Sequence, residues 1–199
     1  MRTPPAELAE RLWNVADRAL QQGSDLRIDA LADLTGIPRA TLYYYFSGKE
    51  DVLVFLLTQQ LERGTETIAT AARSEGGATL KLEAVLRAML RTMAEHPALC
   101  TRLMGFVANG PAGAQLMGDV ERTMMAPVRD LLTEAGAAGE LVVTDPTDTT
   151  LALIGAVSTI AMVRTAAGSY DPDDVADRLI PLLLNGLVPR SSKDEPSSS

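Results

Sequence analysis

Residues 27–52 read RIDALADLTGIPRATLYYYFSGKEDV. The string divides into two short helices joined by a tight turn. Ile28, Leu31 and Ala32 recur at i, i+3 and i+4 and make one apolar face, which Leu34 extends. Thr35-Gly36 interrupts the period, and a glycine there can take the left-handed conformation that closes a helix. Ile37 returns to the core. Pro38 suits the first turn of a second helix, where its missing N–H leaves nothing unpaired. That helix, residues 38–46, buries Leu42 and Phe46 and turns Arg39, Thr41, Tyr43, Tyr44 and Tyr45 in other directions. Three consecutive residues sweep about 200° of a helix, so the tyrosines cannot all be buried.

Helix, glycine turn and helix is the layout whose second member can lie in a DNA major groove. On Leu31-Ala32, Gly36-Ile37, Thr41-Leu42-Tyr43-Tyr44-Tyr45-Phe46 and Lys49-Glu50, residues 8–55 resemble the DNA-binding domain of the TetR family of bacterial transcriptional regulators. The resemblance implies an all-α protein. An N-terminal three-helix helix-turn-helix domain would be joined by a long helix to a C-terminal helical domain that binds a ligand and dimerises. It maps DNA contact onto Arg27, Arg39, Ala40, Thr41, Tyr43, Tyr44, Tyr45 and Lys49. Arg39, at the exposed start of the second helix, is the expected base reader, because a guanidinium pairs bidentately with guanine. Ala40 suits a thymine methyl, and the tyrosine hydroxyls and Lys49 suit phosphates. Two positions depart from the family pattern. Arg27 stands where a Ser or Thr commonly caps the first helix, and Asp29 stands where a basic residue is common and would repel the DNA backbone.

Composition bounds the alternatives. The chain has 199 residues, 46% of them hydrophobic but only 4% aromatic, so its core is aliphatic and methionine-rich. Net charge is −8. Residues 1–50 hold six cations and seven carboxylates, a balance of −1, which leaves −7 for residues 51–199. The acidic excess thus lies outside the DNA-binding segment, although −1 is not a basic patch. No apolar leader follows Met1-Arg2-Thr3-Pro4-Pro5, and the apolar run 151–163 is shorter than the ~18 residues of a membrane span. A single cysteine, Cys100, allows no internal disulfide, so a reducing cytoplasm is expected and no membrane partner is.

The rest of the chain reads as helices, with no strand. Residues 5–22 form the first, on a stripe of Leu8, Leu12, Val15, Ala16 and Ala19 with Trp13 beside it. Ser47 and Glu50 read as a capping box for a helix over 48–72. Further helices are expected at 78–95, 97–107, 114–135 (kinked at Pro127), 146–167 and 171–187. The loops fall at 74–77, 109–111, 136–144 and 168–170. The organisation is a helix-turn-helix domain at 1–50, a ligand-binding and dimerisation domain at 51–188, and a disordered tail at 189–199.

In the second domain, residues 149–163 are apolar almost all round, which requires burial on every side. One face against its own protomer and one against a partner meets that requirement. The resemblance points the same way, to a homodimer through Leu151, Gly155, Ser158, Met162, Leu179, Leu183 and Leu187, matched to a palindromic DNA operator. A small-molecule effector, apolar or amphipathic, would lie among Met89, Met93, Leu103, Met104, Phe106, Val107, Met124, Met125 and Val128, because methionine adapts to irregular shapes. Any one of these is also ordinary core by the same pattern. Arg102, Asn109 and Gln115 are candidates to orient such a molecule. His96 reads as a surface or capping residue and Cys100 as core. Neither has companions for a metal site or a triad, so no catalytic residue, metal or cofactor is expected. Three functions compete: a ligand-responsive regulator, probed by mutating Arg39; a helical relative that acts by protein contacts without sequence-specific DNA binding; and an enzyme on a borrowed fold, which lacks an acid–base pair or nucleophile.

Overall fold

The computed structural model describes residues 2–21, 26–106 and 110–186, and among them every regular element is helical. The order is α1 (Ala6–Trp13), α2 (Ala16–Gln21), α3 (Ile28–Thr35), α4 (Arg39–Tyr45), α5 (Lys49–Ala72), α6 (Ala78–Glu95), α7 (Pro97–Phe106), α8 (Gly110–Val120), a π-helical turn (Glu121–Met125), α9 (Ala126–Ala137), α10 (Pro146–Ala166) and α11 (Pro172–Asn185).

Several boundaries differ from the sequence expectation for local reasons. The first helix is two. The Asn14 N–H still reaches Glu10 O, but the Val15 N–H bonds Leu12 O at 3.3 Å. This tightened turn lets Trp13 and Val15 both enter the core. The expected box at Ser47 and Glu50 does not form. Gly48 is the N-cap of α5, one residue later, and the reciprocating acid is Asp51, whose Oδ2 accepts the Ser47 N–H at 2.9 Å. That bond holds the Asp51 carboxyl below its usual range. The kink at Pro127 is the π-helical turn just before it. Proline has no N–H to continue the ladder, and the wider turn absorbs the missing bond. A second proline, Pro181, sits inside α11.

Two cores result. The first joins α1–α4 and the N-terminal half of α5, through Leu12, Leu31, Leu42, Phe46, Leu56 and Leu57, and it also takes in Leu99 and Leu103 of α7 and Leu116 and Val120 of α8. The second gathers Ile68 of α5 with α6, α9, α10 and α11, around Leu82, Leu86, Met89, Leu90 and Val157. α5 runs through both. α10 extends beyond its apolar run at both ends through Thr147, Thr149, Thr150 and Thr165. By length and composition it could therefore cross a bilayer, with a mean hydropathy of 1.4 over its most apolar window. Only 28% of that window is buried. Within one protomer much of this segment is therefore uncovered, and the expected burial on every side assigned one face to a partner.

Candidate DNA-reading face and ligand cavity

Gly36 closes α3 with φ of 66°, a left-handed conformation in which any side chain would be strained. The turn is tied on both sides. Thr35 Oγ1 accepts the Ile37 N–H at 3.2 Å, and the Arg11 guanidinium of α1 donates to the Thr35 carbonyl. α4 leaves this turn with Leu42 and Phe46 fully buried. Its opposite flank is open. Tyr43 and Tyr44 are 56% and 59% exposed. Tyr45 is half-buried against the core and meets the Tyr44 ring edge-on at 4.9 Å. Arg39 and Ala40 are exposed and Thr41 half-buried.

Cations flank this face. Arg2 places its guanidinium 4.3 Å from the Tyr44 ring centroid, and its main-chain N–H donates to Tyr45 O at 3.2 Å, so the N-terminal segment is fastened to the end of α4. Arg27 is exposed at the start of α3, and Lys49 is exposed in the first turn of α5. Arg39 is not a solitary cation: its Nη1 lies 3.1 Å from Asp29 Oδ1. Of the eight sequence-predicted DNA residues, Thr41 and Tyr45 are half-buried and the others exposed, with Arg39 paired. This placement of Arg2 is not legible in the sequence, because an N-terminal arginine carries no periodic signal.

A cavity of about 50 Å³ lies between α5, α6, α7 and α10. At roughly 10–15 Å³ for each water in this measure, it holds only a few waters as it stands. Of the residues named from the sequence, Met89, Met93, Leu103 and Met124 line it. The other expected wall residues do not. Val128 is fully buried in the second core, and Phe106 and Met125 are half-buried against the cores. Val107 and the Met104 side chain lie outside the described residues, as does Asn109. Arg102 and Gln115 do not line the cavity. The walls the sequence reading missed come from α5 (Gln60, Gly64, Ile68) and α10 (Ser158, Ala161, Met162, Thr165), with Thr92, Pro97, Cys100 and Thr101 between. Among the described residues, no charged side chain lines it. Burial, then the negative charges of Asp17 and Glu95, push the Cys100 thiol up to about 12, so it stays protonated.

The junction between the first core and the α6–α7 corner is polar and aromatic. His96, at the C-cap of α6, packs its ring 4.1 Å from Trp13, and its Nδ1 approaches Asp17 Oδ1 at 3.8 Å. Arg63 of α5 covers the other part of Trp13 at 4.7 Å and pairs with Glu10. His96 is thus half-buried between units rather than on the surface.

The exposed positions of α10 include an apolar set beside Asp148, Thr159 and Arg164. Leu151, Met162 and Val163 are 51%, 46% and 56% exposed, and Gly155 lies between them. Ser158 is half-buried toward the cavity. On α11, Leu179 is in the protomer's own core, which corrects its expected place on an outer face. Leu183 is half-buried, Leu182 is 40% exposed, and Leu187 lies outside the described residues.

Comparison with known proteins gives two matches to family descriptions. Residues 17–54 match "Bacterial regulatory proteins, tetR family", and residues 75–187 match "Tetracyclin repressor-like, C-terminal domain". No curated protein matches. Among solved structures, a TetR/AcrR transcriptional regulator from Thermobifida fusca is 26% identical, with a TM-score of 0.75 over 92% of this chain and 99% of that one. The fatty acid degradation regulator FadR from Bacillus halodurans is 18% identical, with a TM-score of 0.79 over 93% and 98%. FadR from Bacillus subtilis, solved in complex with stearoyl-CoA, is 18% identical, with a TM-score of 0.74 over 92% and 98%.

Proposed function

Because the chain belongs to the TetR family of transcriptional regulators, we propose that it acts in the cytoplasm as a homodimeric repressor, binding a palindromic operator and leaving it when a small apolar or amphipathic molecule enters the α5–α7–α10 cavity. The observation that carries the DNA-binding reading is the division of α4. Leu42 and Phe46 fasten one side to the core, while Arg39, Tyr43 and Tyr44 stand free of it on the other. Arginine and tyrosine hydroxyls are the groups that read guanine edges and grip phosphates.

The dimer reading rests on α10. An exposed apolar stripe interrupted by a glycine lets two copies approach closely about a two-fold axis, and two-fold symmetry matches half-sites about one DNA turn apart. The effector reading rests on an uncharged, methionine-lined cavity. Stearoyl-CoA, the ligand of the Bacillus subtilis protein, would need it to open well beyond its present volume, so a shorter apolar group fits better. The ligand acts by favouring the protomer arrangement that does not fit DNA, and a preference of a few kcal/mol is enough.

Selection of bound fragments from genomic DNA, followed by gel shift, tests this. One palindromic site should emerge, and Arg39→Ala should lose it while the protein remains dimeric by sedimentation. Normal binding by that variant overturns the assignment of Arg39. The near-neutral charge of residues 1–50 favours one rival, a helical relative that works through protein contacts, and failure of the wild-type chain to retain any DNA would select it.

A further inference from the structure

Gln60 is 5% exposed and lines the cavity from α5. Its Nε2 faces Thr92 O and Cys100 Sγ, each at 3.5 Å. Its Oε1 has no hydrogen-bond partner. Turning the amide over would bring Oε1 to the Cys100 S–H, a weak donor, but would set it against the Thr92 carbonyl oxygen and take from Nε2 both of its acceptors, so the present orientation is preferred. The amide is therefore held with its donor edge spent on protein and its acceptor edge unspent. A buried carbonyl without a donor costs about 1–3 kcal/mol, so the site favours whatever supplies one.

The rest of the lining narrows the chemistry. Sixteen of the described residues surround the space, and among them none is Asp, Glu, Lys, Arg or His. A carboxylate or phosphate could not be stripped of water there without a counter-ion. The Cys100 thiol remains protonated and is already an acceptor for Gln60, so it offers no thiolate for an electrophile.

We propose that Gln60 is the specificity-determining group of this cavity, and that it selects a neutral aliphatic ligand carrying a hydrogen-bond donor, such as a hydroxyl, over the same chain without one. This deepens the effector reading above and rests on it. The ligand's apolar part lies against Met89, Met93 and Ile68, and its hydroxyl hydrogen points at Gln60 Oε1.

The test uses the full chain and two isomeric probes short enough for this space, 1-butanol and methyl propyl ether, which differ in having and lacking a donor. Binding is measured by calorimetry. The alcohol should bind about ten-fold more tightly to the wild type, the equivalent of one good hydrogen bond. Gln60→Leu should bring the two to parity, with Gln60→Met as the second variant should the first not fold. Equal affinities in the wild type overturn the role of Gln60 and leave the cavity's effector reading standing. Binding of neither probe removes both. An undiminished preference for the alcohol in Gln60→Leu and Gln60→Met places the recognition elsewhere and overturns the inference.

Discussion

Arg39 and Asp29 face each other across the helix-turn-helix, Nη1 to Oδ1 at 3.1 Å, with 59% and 44% of their side chains open to solvent. The carboxylate that departs from the family pattern is therefore a restraint on the very cation expected to read a base. The pair is exposed and contributes little to stability, on the order of 0–1 kcal/mol. Its effect on DNA binding is larger, because Arg39 must exchange Asp29 for a base or phosphate. Asp29→Asn should raise operator affinity several-fold and steepen the dependence on salt by about one counterion. Fluorescence anisotropy across a salt series measures both, and an unchanged affinity refutes the restraint.

Adjacent residues of α4 should give opposite phenotypes. Leu42 is wholly buried and Tyr43 is mostly exposed. Leu42→Ala should lower unfolding stability by about 2–5 kcal/mol. Tyr43→Ala should stay within about 0.5 kcal/mol of wild type yet weaken DNA binding. Chemical denaturation paired with gel shift separates them. A Tyr43→Ala variant that unfolds early would place that ring in the core after all.

The start of α6 is capped from a distance. Glu140, in the loop after α9, accepts the Thr79 N–H at 2.8 Å, and this holds its carboxyl below the usual 4.5. A depressed folded value means the contribution is present above the ordinary carboxylate range and is lost as pH falls through the folded value. The gap in Tm between wild type and Glu140→Gln should be widest near neutral pH and close in acid below pH 4.5. A Cβ on Gly77 would come 2.6 Å from Glu140 Oε1, so Gly77→Ala should displace the carboxylate and reproduce the loss. A pH-independent gap would show that the bond contributes nothing through its charge.

The outward stripe of α10 predicts an assembly phenotype. Leu151 is 51% exposed and does not line the cavity. Leu151→Glu would set two carboxylates against one another across a two-fold axis. Sedimentation should show a monomer with unchanged helix content by circular dichroism. A persistent dimer would move the interface off this face.

The helix-turn-helix was legible because its signals are local: a glycine closing α3, a proline before α4, and two buried positions four apart. The helix at Asp145-Pro146 was legible for the same reason, and Asp145 indeed accepts the N–H groups of Thr147 and Asp148. The cavity was half legible. Met89, Met93, Leu103 and Met124 sit on stripes that a helical period reveals. Gln60 and Ser158 do not, because which polar residue faces a gap depends on how α5 and α10 meet, and no one segment carries that information. Leu179 was misplaced for a related reason: α11 turns a broad apolar face inward, and only the packing tells which leucines are left outside.

The core beneath α4 does not end at α5. Leu99, Leu103, Leu116 and Val120 from the far half of the chain complete it, and Leu103 also forms part of the cavity wall. One consequence concerns engineering. A chimaera that grafts a foreign helix-turn-helix onto residues 51–186 would leave those four leucine and valine side chains facing the wrong shapes. Such hybrids should succeed only when the donor's matching surfaces of α7 and α8 travel with the graft.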